Sequence, residues 1–254
     1  MKELLEKLER PSDSHKGENG KVLVIGGSSK YTGAPALAAR AALRSGTDLV
    51  KILTSEEAKP VVQGFSENFI VQSYGEVFDK NSVDKALELE KWADCTVIGP
   101  GLSEFEQKAI KDFEKKSGDL VIDAEAIEAL ETSSGNIFTP HYGEARVLRE
   151  NYGSVEAFVS QTENAVLLKG EIDRIYFKEK VFENKSGCAG MTVGGTGDVL
   201  SGILASFKAR GLSNIEASRL AAHVNGKAGE KAFDEYGNGL LATDVVEKIP
   251  EVFR

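Results

Sequence analysis

Gly194-Gly195-Thr196-Gly197-Asp198 stands directly before an apolar stretch, residues 199–207. Glycines at such a place let the backbone approach a ligand and turn its amides inward. The helix predicted to follow presents unpaired N–H groups and the positive end of its dipole. Together they make a phosphate pocket. A carboxylate at its mouth would repel phosphate, so Asp198 reads as a base for an attacking hydroxyl, or as a group acting through Mg2+. Aspartate is also a favoured helix N-cap. A cap has no need of the glycines and threonine crowded before it, and they favour the chemical reading.

The other polar motifs follow short apolar runs. Lys21–Ile25 reads as a buried strand that stops at Gly26-Gly27, and residues 49–53, 69–71, 96–98, 120–122, 137–138 and 165–168 read as further strands. Helical patterns alternate with them at 34–45, 82–92, 104–116, 125–130, from 143 or 144, and at 155–163 behind Ser154 as N-cap. Residues 172–177 and 180–182 suggest a hairpin, and helices fill 198–209, 214–233 and 243–249. Continuous apolar strands alternating with helices predict an α/β fold: three layers, α/β/α, around a mostly parallel sheet. Ligands gather outside the carboxyl ends of such strands. Six loops are expected there: residues 26–33, 99–102, Asp123, 139–144, 169–173 and 187–198.

Composition narrows the function. A formal net charge of −9 with no concentrated Lys/Arg face argues against nucleic acid. Cys95 and Cys188 are far apart and fit neither zinc nor a disulfide framework. No apolar run reaches the ~20 residues of a membrane span, and the charged, helical start is no signal peptide. A cytoplasmic protein with one domain over residues 1–254 is expected. Neither a Walker A string nor G-x-G-x-x-G occurs, which disfavours P-loop and dinucleotide-fold chemistry.

GGTGD opening a late helix resembles the ribokinase superfamily. Within it the chain resembles the NAD(P)H-hydrate dehydratases, the C-terminal domain of the YjeF family. The strings that carry the likeness are His15-Lys16-Gly17, VLVIGGS (22–28), YTGAPALAARAALRSG (31–46), GPGL (99–102), TPHYGE (139–144), VLLKG (166–170) and SGCAGMTVGGTGDVLSGI (186–203). The resemblance implies that Asp198 is the base for the ring hydroxyl of a hydrated nicotinamide. Gly195, Thr196 and Gly197 would form the anion hole, and Lys169, Gly170, Glu171, Ile172 and Asp173, with Gly197, would lie along the nucleotide. Gly101, His141 and the turn at Gly33, Ala34 and Pro35 would contact the substrate, and Asp123 and Glu144 would sit near metal and phosphates. Mg2+, ADP or ATP as phosphate donor, and the S-form of hydrated NADH or NADPH are the implied partners, in a homotetramer without the epimerase domain of larger members. The hydroxyl would be phosphorylated and phosphate then eliminated.

The chain departs from the family pattern at Tyr142 (usually Pro), in DAEAI at 123–127 (usually DADAL), at Cys188 (usually Asn) and at Thr192-Val193 (usually Ala-Thr). On its own His15 reads as a surface residue, His223 as a packed one and Cys95 as core. A small-molecule kinase of the same superfamily, such as one for a thiamin-precursor alcohol, is the second reading. A nucleotide sensor without turnover is the third. TPHYGE and His15-Lys16-Gly17 favour the dehydratase over the kinase, and the intact GGTGD with its base argues against a pure binder.

Overall fold

The computed structural model describes residues 1–118, 120–129 and 133–253. A short helix α1 (Lys2–Glu6) leads to the sheet, whose strands are β1 (Lys21–Ile25), β2 (Leu49–Ser55), β3 (Ile70–Gly75), β4 (Cys95–Ile98), β5 (Leu120–Ile122), β6 (Ile137–Phe138), β7 (Ala165–Leu168), β8 (Asp173–Phe177) and β9 (Lys180–Asn184). They form one nine-stranded sheet in the order β3-β2-β1-β4-β5-β6-β7-β8-β9. Strands β1 to β7 are parallel, with Val22 opposite Val50 on one side and Cys95 on the other. The hairpin β8–β9 closes the sheet antiparallel.

Both faces are covered, which is why the central strands are apolar throughout. Val22, Val24, Val50 and Ile52 face a core shared with α2 (Gly33–Arg44), α8 (Thr196–Ala209), α9 (Asn214–Tyr236) and α10 (Ala242–Val252). Leu23, Ile25 and Leu53 face a second core with α4 (Lys80–Glu90), α5 (Gln107–Lys116) and α7 (Val155–Thr162). The other α-helices among the described residues are α3 (Lys59–Gly64) and α6 (Arg146–Tyr152).

Side-chain caps set the starts of α4, α7 and α9. Asp79 and Ser82 close a capping box on α4, and Ser213 and Glu216 close another on α9. Ser154 caps α7 as expected, accepting from the Ala157 amide. The predicted start of α5 is corrected: residues 104–106 are extended, because the Phe78 amide donates to the Glu104 carbonyl and the Glu106 amide to the Phe78 carbonyl. Residues 124–129 form a 3-10 helix, and Leu130, at the end of the predicted helix, lies outside the described residues. Helix α3 escaped the periodicity because it is a single short segment with Pro60 in its first turn.

α2 and α8 pack through small residues, and this contact aims the loop before α8. A Cβ built on Gly202 would lie 2.1 Å from the Ala38 carbonyl oxygen and 2.9 Å from its Cα, so two helix backbones meet there. Alanine favours an isolated helix over glycine by ~1 kcal/mol, but backbone cannot retreat as a side chain can. We expect Gly202→Ala to destabilise by about 2–3 kcal/mol, lowering Tm by roughly 4–10 °C. A thermal melt at or above that of the unmodified protein would show that the helices do not meet this closely.

Candidate active site

The sheet order reverses at β1, which has β2 on one side and β4 on the other. That switch point is where a doubly wound sheet opens a crevice. The loops after β1 and β4 pack against each other there, with the Gly27 amide donating to the Pro100 carbonyl at 2.8 Å. Gly101 follows, and a Cβ on it would lie 2.8 Å from the Tyr31 carbonyl oxygen and 3.1 Å from Ala34 Cβ. The GAP turn, where α2 begins without a side-chain cap, therefore adjoins GPGL.

α8 begins at Thr196, two residues earlier than its apolar pattern suggests, since glycine conceals a helix start. Asp198 is thus not the cap. It stands inside the first turn, and its carboxylate accepts no hydrogen bond among the described residues. The cap position is Gly195, at φ +98°, where an added Cβ would lie 2.6 Å from Leu37 Cδ1 and 3.0 Å from Ala242 Cβ. Both conformation and space require glycine there. The Thr196 hydroxyl is spent on the loop, lying 2.9 Å from the Met191 carbonyl and 3.2 Å from that of Val193. The amides of Gly195, Thr196, Gly197 and Asp198 donate to no backbone acceptor among the described residues. Their free donors and the helix dipole suit an anion.

Lys169, just beyond β7, is the cation of the site. Its Nζ lies 2.9 Å from Asp123 Oδ1 and 3.7 Å from Glu144 Oε2. It also sits over the first turn of α8, 3.3 Å from where a Cβ on Gly197 would be. Burial opposes the ammonium charge, but Asp123 and Glu144 outweigh it and raise the Lys169 pKa. Asp198 moves the other way from an ordinary carboxyl: burial and the Asp123 charge push it up to about 7, against the pull of Lys169. A carboxyl that titrates near neutrality, free of hydrogen bonds and beside a row of free amides, is suited to take a proton from a hydroxyl poised to attack a phosphoryl group.

A family model described as NAD(P)H-hydrate dehydratase matches residues 22–251. The chain belongs to that family. An ADP-dependent (S)-NAD(P)H-hydrate dehydratase of Natrialba magadii is 42% identical over 258 residues, covering 100% of both chains. A bifunctional NAD(P)H-hydrate repair enzyme of Methanothermobacter thermautotrophicus is 39% identical over 266 residues; the match takes in 96% of this chain but spans only 51% of that protein. Among solved structures, an ADP/ATP-dependent NAD(P)H-hydrate dehydratase of Bacillus subtilis, co-crystallised with ATP/Mg2+, superposes with a TM-score of 0.82 at 27% identity, covering 97% of this chain and 94% of that one. A ribokinase-like superfamily protein of Enterococcus faecalis superposes at 0.86 with 26% identity, covering 100% and 94%. The ribokinase-like fold expected from the sequence is present.

The remaining residues singled out in this family member fall into two groups. In TPHYGE the His141 amide donates to Glu144 Oε2 at 2.7 Å, and the Glu144 amide donates to His141 Nδ1 at 3.0 Å. His141 also bridges Lys169 across the strand ends, where the Lys169 amide meets the Pro140 carbonyl. Asp173 accepts from the Gly170 amide and from Asn184 Nδ2, both at 3.1 Å, which folds residues 170–173 into a tight turn; Glu171 and Ile172 lie within it. Burial raises the Asp173 pKa in spite of these bonds. Cys188 points its thiol at the Gly229 carbonyl, 3.8 Å away.

His15-Lys16-Gly17 is not brought to this edge. It precedes β1 and so lies at the amino ends of the strands, with the Gly17 amide held by Asp48 and the His15 side chain exposed. Sequence reasoning passed over one residue. Glu125, in DAEAI, keeps Oε2 buried without a hydrogen-bond partner. Burial, then Glu144 and Asp123, raise its pKa. An acidic residue two places after Asp123 was the available signal.

No helix among the described residues is long and apolar enough to cross a membrane.

Proposed function

We propose that this protein dehydrates the S-form of hydrated NADH and NADPH at the expense of ADP or ATP, returning the intact dinucleotide. The observation that carries the reading is Asp198: unbonded, titrating near neutrality, and set among the free amides that open α8. Asp198 takes the proton of the ring hydroxyl, whose oxygen attacks the terminal phosphoryl group of the nucleotide. The amides of Gly195, Thr196 and Gly197 and the Lys169 ammonium take up the charge on the transferred group. The nucleotide leaves one phosphate shorter. The C–O bond then breaks, its electron pair departing with phosphate. The neighbouring ring carbon loses a proton and the ring double bond returns.

Residues 169–173 run along the donor nucleotide, while Gly101, Ala34, Pro35 and His141 hold the dinucleotide. Among the described residues no three acidic side chains converge as a metal cage, so a Mg2+ would be held chiefly by donor phosphates and waters, with the unpartnered Glu125 Oε2, near Asp123 and Glu144, as the available protein acceptor. When bound, that ion would neutralise donor phosphates beside the carboxylates. Because every described strand joins one sheet, we read the chain as one catalytic unit. We further read it as a homo-oligomer acting in the cytoplasm, as the family resemblance implies.

Near-ultraviolet absorbance of the dihydronicotinamide ring tests the activity. Purified protein with Mg2+ and prepared NADH hydrate should restore absorbance only when ADP or ATP is added, and the faster nucleotide names the donor. A flat trace with both, from folded protein, would point instead to a kinase for a small alcohol.

A further inference from the structure

Tyr142 is the most exposed large apolar side chain among the described residues, at 73%. A single exposed aromatic is ordinarily unremarkable, but this one is held. The Arg149 guanidinium lies 4.4 Å from its ring centroid, and Arg149 Nη2 donates to the Tyr142 carbonyl at 2.8 Å. One half-buried arginine at the end of α6 therefore fixes both the backbone and the ring of Tyr142. On either side, His141 and Glu144 are locked by their reciprocal bonds. The ring is a rigid plate with one face covered by a cation and the other open. Such preorganisation removes the ordering cost of binding a second planar group.

The plate stands at the rim of the cleft, beside His141 and two residues from a carboxylate that faces Lys169. Under the proposed function, the hydrated nicotinamide must reach Asp198 and the donor nucleotide runs along residues 169–173. The planar group left over is the adenine at the far end of the dinucleotide. We propose that Tyr142, braced by Arg149, is a stacking platform for that adenine, and so favours dinucleotide over mononucleotide substrates. The inference rests on the dehydratase reading.

Kinetics with NADH hydrate and with the hydrate of reduced nicotinamide mononucleotide, which lacks the adenosine half, test it. Base–aromatic stacking is a strong local term, so Tyr142→Ala should raise KM for NADH hydrate about tenfold while kcat changes less than twofold. KM for the mononucleotide hydrate and for ADP should not move. Tyr142→Phe should behave as the unmodified protein, and Arg149→Gln should raise KM a few-fold by freeing the ring. An unchanged KM for NADH hydrate in Tyr142→Ala, or an equal rise for the mononucleotide or ADP, overturns the platform. Turnover of neither hydrate by the unmodified protein would defeat the dehydratase reading instead. Fluorescence titration with NADH and reduced nicotinamide mononucleotide still decides Tyr142 in that case: Tyr142→Ala must weaken NADH binding about tenfold and leave the mononucleotide unaffected, and equal NADH affinity refutes the proposal.

Discussion

Asp198→Asn should abolish turnover and at the same time make the protein harder to unfold. The loss of activity follows from chemistry: asparagine cannot accept the hydroxyl proton, and removing a general base costs on the order of 10²–10⁴-fold. The gain in stability follows from linkage. Burial and Asp123 raise the Asp198 pKa to about 7 in the folded protein, from 3.8 in an unhindered carboxyl. A group whose folded pKa is raised contributes fully below its unfolded pKa, and that contribution is lost as pH rises through the folded value. Between about pH 4 and 7 the native state is thus progressively penalised for holding a site it prefers protonated. At pH 8 the penalty is of the order of 4 kcal/mol. Asparagine escapes it, so the variant should melt roughly 8–16 °C higher at pH 8, with the advantage shrinking toward pH 4. In the unmodified enzyme, kcat/KM should fall below about pH 7 as Asp198 takes up a proton. A variant that loses activity but melts lower at pH 8 would mean that the carboxylate is a structural partner rather than a strained base.

That Asp198 could be picked out from its own stretch of chain, while the pairing of its neighbours could not, reflects how far each signal is local. The glycines, the threonine and the helix that follow one another at 194–207 lie in one stretch of chain, and strand ends mark the other loops almost as directly. The Lys169–Asp123 pair joins residues 46 apart, and nothing in either neighbourhood announces it. It needs β5, β6 and β7 side by side before the two side chains can meet. Glu125 is hidden for a related reason. Within DAEAI it looks like one more surface acid, and only the packing of the 3-10 helix leaves its Oε2 buried and unpaired. His15-Lys16-Gly17 shows the opposite case: it carries the family likeness, yet its position before β1 places it at the other edge of the sheet, away from the site. The start of α5 was misread where a long-range bridge between Phe78 and Phe105 overrides a plausible local helix.

Lys169→Met is the substitution expected to disturb most at once, because one ammonium serves three groups. Asp123 is almost completely buried and has Lys169 as its ion-pair partner. Leaving a buried charge without its counter-ion costs about 3 kcal/mol or more. Glu144 loses the same cation, and so does Asp198, whose pKa Lys169 holds down. The sign can be followed through. With the cation gone, the Asp198 pKa rises beyond about 7, so the acid limb of the pH–rate profile must move to higher pH. The stability deficit must also be larger at pH 8 than at pH 5, since more of the penalty for ionised carboxylates is felt there. Donor binding suffers as well: the amides of α8 remain, but the phosphates then face Asp123, Glu125, Glu144 and Asp198 without the intervening charge, and KM for the nucleotide should rise at least tenfold. Lys169→Arg separates charge from fit. It keeps the cation and should recover most of the stability, yet a planar guanidinium cannot occupy a point-charge position over Gly197, so the nucleotide KM should stay elevated. Melting curves at the two pH values and a pH–rate profile decide the matter. If Lys169→Met melts like the unmodified protein at pH 8 and keeps its pH profile, the ammonium is not what balances the acids around Asp198.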